Sequence, residues 1–209
     1  MDKNPYQHII QAILNSCRGI FIENDFHLNP ATINSFVVSG NDMSSAFNHY
    51  KNNSSDVKVL RWFDDFWIFM NIWFVLRKKQ FPQTFLTISI FQGEKDDSRK
   101  NQLFRAEWDN HENNVFHPQP HWQIYPNKYH HKVYDDFEAF NDMKNEGYEA
   151  KMEVESDKLI DLRKIHFAMN AEWSKKQGAI HTLSDIDVLT NWIQGLLTDV
   201  KYQLKHAQS

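Results

Sequence analysis

The sequence has a single cysteine, Cys17, so no disulfide can form within the chain and no all-cysteine metal site can be built from it. A reducing, cytoplasmic setting is the expectation. Cationic excess is lacking as well: 23 Lys and Arg face 27 Asp and Glu, a formal net charge of −4. That balance gives no broad attraction for a phosphate backbone, so there is no strong nucleic-acid signal. No long apolar run is present. The most apolar stretch, Phe66 to Leu76, is interrupted by Asn71 and is about half the roughly 20 residues that a spanning helix needs. It reads as a buried helix, and no membrane partner is expected. Met1 to Cys17 carries polar groups throughout and lacks the apolar centre of an export signal. A glycine-rich phosphate loop, a Gly-x-Gly-x-x-Gly pattern and a Gly-x-Ser-x-Gly turn are all absent, which removes the common nucleotide-binding and serine-hydrolase readings.

What is present describes a chain that folds: with 41% hydrophobic, 14% aromatic and 24% charged residues, it has the apolar groups that offset ordering entropy. Residues 4 to 17 place Tyr6, Ile9, Ile10, Ile13, Leu14 and Cys17 at helical spacing after Asn4 and Pro5. Ile33, Val37 and Val38 before Gly40 favour a strand, and Asp42 or Ser44 opens a short helix. Phe63, Phe66, Trp67, Met70, Trp73, Phe74 and Arg77 recur at three- and four-residue steps, which predicts a central core helix over 57–79. Alternation predicts strands over 84–92, 103–109 and 121–125. Helices are predicted over 134–145, 157–173 and 184–206, with a polar linker at 145–157. The expected fold is one α+β domain over 1–209, a small antiparallel sheet of three or more strands packed by amphipathic helices from both ends of the chain.

One polar cluster stands out. Strand alternation sends Phe104, Ala106 and Trp108 to the core and Arg105, Glu107 and Asp109 to the opposite face. In the next strand Trp122 and Ile124 face the core, while His121, Gln123 and Tyr125 share the polar side. The connection contains His111, Glu112 and His117-Pro118-Gln119-Pro120-His121, where each proline stiffens the chain. Glu107, His121 and Gln123 are candidate ligands for Mg, Mn or Zn, because mixed oxygen and imidazole donors suit those ions. Asp109, His117 and Arg105 are candidate catalytic groups beside them. The plain alternative is a solvated strand face with cross-strand ion pairs, and histidines that satisfy loop carbonyls. His166 is read as a core histidine, and Cys17, at an apolar helix position, as a structural thiol.

His121-Trp122-Gln123 resembles the histidine-hydrophobe-glutamine variant of the HUH nuclease motif. That resemblance implies a metal site completed by an acidic residue on the preceding strand, here Glu107. Tyr129-His130-His131-Lys132 is similar to the family's Tyr-x-x-Lys spacing, although Tyr129 follows His121 more closely in sequence than the family's arrangement has it.

Two readings of function follow. The first is an intracellular, non-catalytic partner- or ligand-binding protein of subunit type, with a protein partner or self-association, supported by the aromatic content and the lack of a complete catalytic signature. The alternative is a divalent-metal-dependent phosphodiesterase or nuclease built on Glu107, His121 and Gln123.

Overall fold

The computed structural model describes residues 4–49, 54–78, 80–97, 99–109, 119–125 and 183–208. The described residues form an eight-stranded antiparallel sheet with a helix near each end of the chain. In chain order these are α1 (Gln7–Cys17), β1 (His27–Pro30), β2 (Ser35–Ser39), β3 (Met43–Asn48), β4 (Ser55–Phe63), β5 (Phe66–Val75), β6 (Gln83–Gln92), β7 (Asn101–Asp109), β8 (His121–Ile124) and α2 (Ile186–Gln208).

The spatial order β1-β2-β5-β6-β7-β8 makes up the main sheet, and β4 joins the edge of β5 ahead of β2 while pairing with β3 on its other side. One edge of the long β5 thus serves two strands. Its first residues pair with β4 (Ile68 with Leu60) and its later ones with β2 (Asn71 with Val37).

The inner face is apolar. Ile68, Met70, Ile72 and Phe74 of β5, Leu86, Ile88 and Ile90 of β6, and Phe104, Ala106 and Trp108 of β7 all lie in one buried core. Into it α1 packs Ile9, Ile10, Ile13 and Cys17, and α2 packs Leu189, Ile193, Leu197, Val200 and Leu204, residues at three- and four-residue steps. Asn4 Oδ1 accepts the Tyr6 N–H at 2.9 Å before α1, and Asp185 Oδ1 accepts the Val188 N–H at 2.9 Å before α2, each satisfying a donor that the helix itself leaves open.

Three expectations are overturned. The sheet is large where a small one was expected, and residues 57–79 are mostly the β4–β5 hairpin where a central helix was expected. The reason is that Val59, Leu60, Trp62, Phe63, Phe66, Trp67 and Ile68 are buried on both faces of their strands. A strand covered on both sides loses the two-residue alternation, and its apolar residues then match helical spacing equally well. The turn is made by Asp64 and Asp65, with Asp64 at φ +43, a left-handed conformation that a short polar side chain tolerates. The short helix expected after Asp42 is strand β3, whose state is decided by pairing with β4, from Met43 opposite Leu60 to Asn48 opposite Ser55. Ile33 lies ahead of β2 in the connection from β1.

The strands expected over 84–92, 103–109 and 121–125 are present with the expected inner and outer faces, except that Ile124 is exposed. The expected linker 145–157 and the helices over 134–145 and 157–173, with His166, lie outside the described residues. No helix among the described residues is long and apolar enough to cross a membrane.

Trp108 is buried, and its ring meets Trp192 of α2 edge-on at 5.0 Å. Trp108→Asp should therefore destabilise the protein by more than about 3 kcal/mol, because it sets an unpaired charge between sheet and helix. A urea melt matching that of the wild type would refute this placement.

Candidate functional site

The outer face of the sheet reads as rows across the strands, since antiparallel register sets partners side by side. Asn71 of β5 faces Thr87 of β6, Thr87 faces Glu107 of β7, and Glu107 faces His121 of β8. Ser35 Oγ donates to Asn71 Oδ1 at 3.1 Å and extends this polar row toward β2. On one side of it runs the row Trp73, Phe85, Asp109, in which the Trp73 and Phe85 rings stack at 4.5 Å. On the other side lies the row Phe69, Ser89, Arg105, Gln123.

Beyond Arg105 the outer face is closed by the β3–β4 hairpin. Ala46 and Val59 pack on Trp67 and Phe91, a second, smaller core. Polar side chains then stitch β3 to the sheet. Asn48 Oδ1 accepts from Ser89 Oγ and Gln102 Nε2, both at 2.9 Å, and the His49 N–H donates to Gln102 Oε1 at 2.7 Å. Farther back along β3 the Lys100 ammonium donates to Ser44 Oγ at 2.7 Å, Asp97 O at 2.6 Å and Lys95 O at 3.1 Å, and sits 4.6 Å from the Trp67 ring centroid. Burial lowers its pKa, and Asp97 and Asp96 oppose that shift.

Arg105 is 0% exposed and organises the cluster. Its guanidinium donates to the His49 carbonyl and to Gln123 Oε1, and its Nε lies 3.3 Å from Glu107 Oε1. Glu107 Oε2 lies 3.2 Å from His121 Nε2. Tyr125 completes the set: its single hydroxyl proton has the His49 carbonyl at 2.8 Å and Gln123 Oε1 at 3.2 Å as acceptors. Burial pushes the Tyr125 phenol up, Arg105 opposes that, and Glu107 adds to it.

Of the residues singled out by sequence, Arg105, Glu107, His121 and Gln123 converge. Asp109 sits in the next row at the end of β7, where its backbone N–H donates to Gln119 Oε1 at 2.9 Å. His117, His111, Glu112, Tyr129 and Lys132 lie outside the described residues. The oxygen donors considered for a metal are engaged by Arg105: Gln123 Oε1 and both Glu107 oxygens lie within its reach. Among the described residues no group of three or more His, Cys, Asp or Glu is placed to hold a metal ion. Sequence reasoning missed Asn48, His49, Thr87, Ser89 and Lys100, whose roles depend on strand register and on the fold-over of β3. Asn71 carried the only local signal, a polar residue inside an apolar stretch.

No family model, curated protein or solved structure matches the chain. Function must therefore be argued from this geometry.

Cys17 lies apart from the cluster, buried on α1, and burial raises its thiol to a pKa of about 11. The thiolate is the reactive form, so the native protein should resist iodoacetamide at pH 8 and react only when unfolded; rapid labelling of the folded protein would contradict the burial.

Arg105→Met should cost about 3–5 kcal/mol, since it leaves the Glu107 carboxylate buried without its cation. Adding Glu107→Gln should recover part of that loss, and equal, additive losses in a double-mutant cycle measured by urea unfolding would show that the two do not act as a pair.

Proposed function

We propose that this chain is a non-catalytic binding protein that takes a ligand or a protein partner on the outer face of its sheet. The observation that carries this reading is the stacked Trp73–Phe85 pair, with Trp73 41% exposed, running into the polar row Asn71, Thr87, Glu107 and His121. An open aromatic surface beside convergent hydrogen-bonding groups suits recognition of a flat or apolar group with a polar edge. The charged residues support the same reading, because Arg105, Glu107 and Gln123 are committed to one another and to the fold-over of β3. The buried lone thiol fits a reducing compartment such as the cytoplasm.

A second reading, the metal-dependent phosphodiesterase, draws on one observation: Glu107 and His121 face each other across β7 and β8, with Gln123 on the same side. It requires a metal to displace the guanidinium from the shared oxygens.

Two measurements separate these. Anilinonaphthalene sulfonate should bind the native protein and lose most of that binding in Trp73→Ser, with the melting temperature unchanged; equal binding by the variant would refute the proposed face. Bis(p-nitrophenyl) phosphate with Mn or Zn should show no turnover, whereas turnover abolished by His121→Ala would establish the second reading.

A further inference from the structure

Four adjacent strands, β1, β2, β5 and β6, contain no Asp, Glu, Lys or Arg, and His27 at the edge is their only ionisable side chain. On their outer face the row through Thr87 and Asn71 runs on across Val37 of β2 to Asn29 of β1, which is exposed. From Thr87 to Asn29 it crosses three strand gaps, roughly 14 Å at about 4.8 Å each. Asn71 Oδ1 is taken by the Ser35 hydroxyl. Among the described residues nothing bonds the Asn71 amide nitrogen or the Thr87 hydroxyl, and both side chains are half-buried. Polar groups so placed take a partner from water or from a ligand. Trp73 lies two residues along β5 from Asn71 on the same face, roughly 7 Å away. Phe85 stacks on one side of its indole, with centroids 4.5 Å and planes 28° apart, and the ring is still 41% exposed.

We propose that this strip binds a neutral oligosaccharide, with one pyranose ring set C–H side down on the Trp73 indole and its hydroxyls bonded to Asn71 and Thr87. The inference rests on the binding reading above and names the ligand class for that same face. The electron-rich face of an indole attracts the weakly positive C–H bonds that line one side of a pyranose. A sugar hydroxyl is both donor and acceptor, so it takes a hydrogen from the Asn71 amide and exchanges one with the Thr87 hydroxyl. A purely apolar ligand would drive water from these two groups and leave their hydrogen bonds unmade, which costs more than the contact returns. A nucleotide brings phosphates, and these four strands supply no Lys or Arg to meet them. The length of the strip, with Asn29 at its far end, suits a chain of sugars over a single ring.

The test is titration calorimetry of the full chain with cellohexaose, xylohexaose and N-acetylated chitohexaose, and with glucose as the single-ring comparison. At least one of the three chains should bind, more tightly than glucose by roughly tenfold or more. Trp73→Ser should weaken that binding more than about tenfold, with Trp73→Phe recovering part of the loss. Asn71→Ala and Thr87→Val should each weaken it roughly fivefold, the worth of one hydrogen bond. Tyr202→Ser, at an exposed aromatic on α2, should leave it unchanged. Thermal melts identify any variant that fails to fold, and Thr87→Val, which keeps the shape of the side chain, carries the test if the others do. The proposal is overturned if none of the three chains binds, if glucose binds as tightly as they do, or if Trp73→Ser or both polar variants bind like the wild type. Tighter binding of polygalacturonate or of an oligothymidylate than of every neutral chain overturns it as well. Dye that binds at Trp73 and is displaced by no saccharide overturns the ligand class and leaves the binding reading standing, whereas loss of both dye and sugar binding removes both.

Discussion

A guanidinium that water does not reach must find its acceptors inside the protein, and Arg105 finds them on three separate segments. Its partners are the His49 carbonyl at the end of β3, Glu107 on its own strand and Gln123 on β8. Removing Glu107 would strand a buried charge at a cost of several kcal/mol, and losing either neutral acceptor would leave buried N–H donors unsatisfied. The demand therefore fixes where β3 ends relative to β7 and β8. Lys100 acts in the same way at the other end of β3, where its ammonium gathers oxygens from Ser44, Lys95 and Asp97 over the Trp67 ring. Between these two buried cations, Ala46 and Val59 cover Trp67 and Phe91.

Among the described residues, that fold-over divides the outer face into a closed part and an open part. In the closed part, charges and amides satisfy one another and the second apolar core keeps water away. In the open part, the Trp73–Phe85 pair and the Asn71–Thr87 pair continue the same surface without a β3 to cover them. The polar groups of that surface adjoin a rigid, internally satisfied cluster, the kind of preorganisation that would favour binding on the proposed face.

Much of this was legible residue by residue. Leu86, Ile88 and Ile90 alternate with polar neighbours, as do Phe104, Ala106 and Trp108, since only one face of these strands meets the helices. The convergence of Arg105, Glu107, His121 and Gln123 followed from that alternation once β7 and β8 paired. The hairpin over 57–79 was not legible in the same way. Its aromatics fill two cores, Trp62 and Phe66 in one and Trp67 in the other, and burial on both sides erases the period that separates a strand from a helix.

By itself the sequence determined which segments carry an apolar face, that the one thiol has no disulfide partner within its chain, and which polar residues alternate onto one side of β7 and β8. These are local consequences of side-chain chemistry and of the two-residue repeat of a strand. Tertiary structure alone decided that β5 divides one edge between β4 and β2, that β3 folds back across the sheet, and that Arg105 is sealed beneath it. The physical reason is that strand pairing is non-local. A hydrogen-bond ladder leaves no imprint on the residues between its partners, and the neutral acceptors that Arg105 donates to are separated from it by 56 positions at His49 and 18 at Gln123.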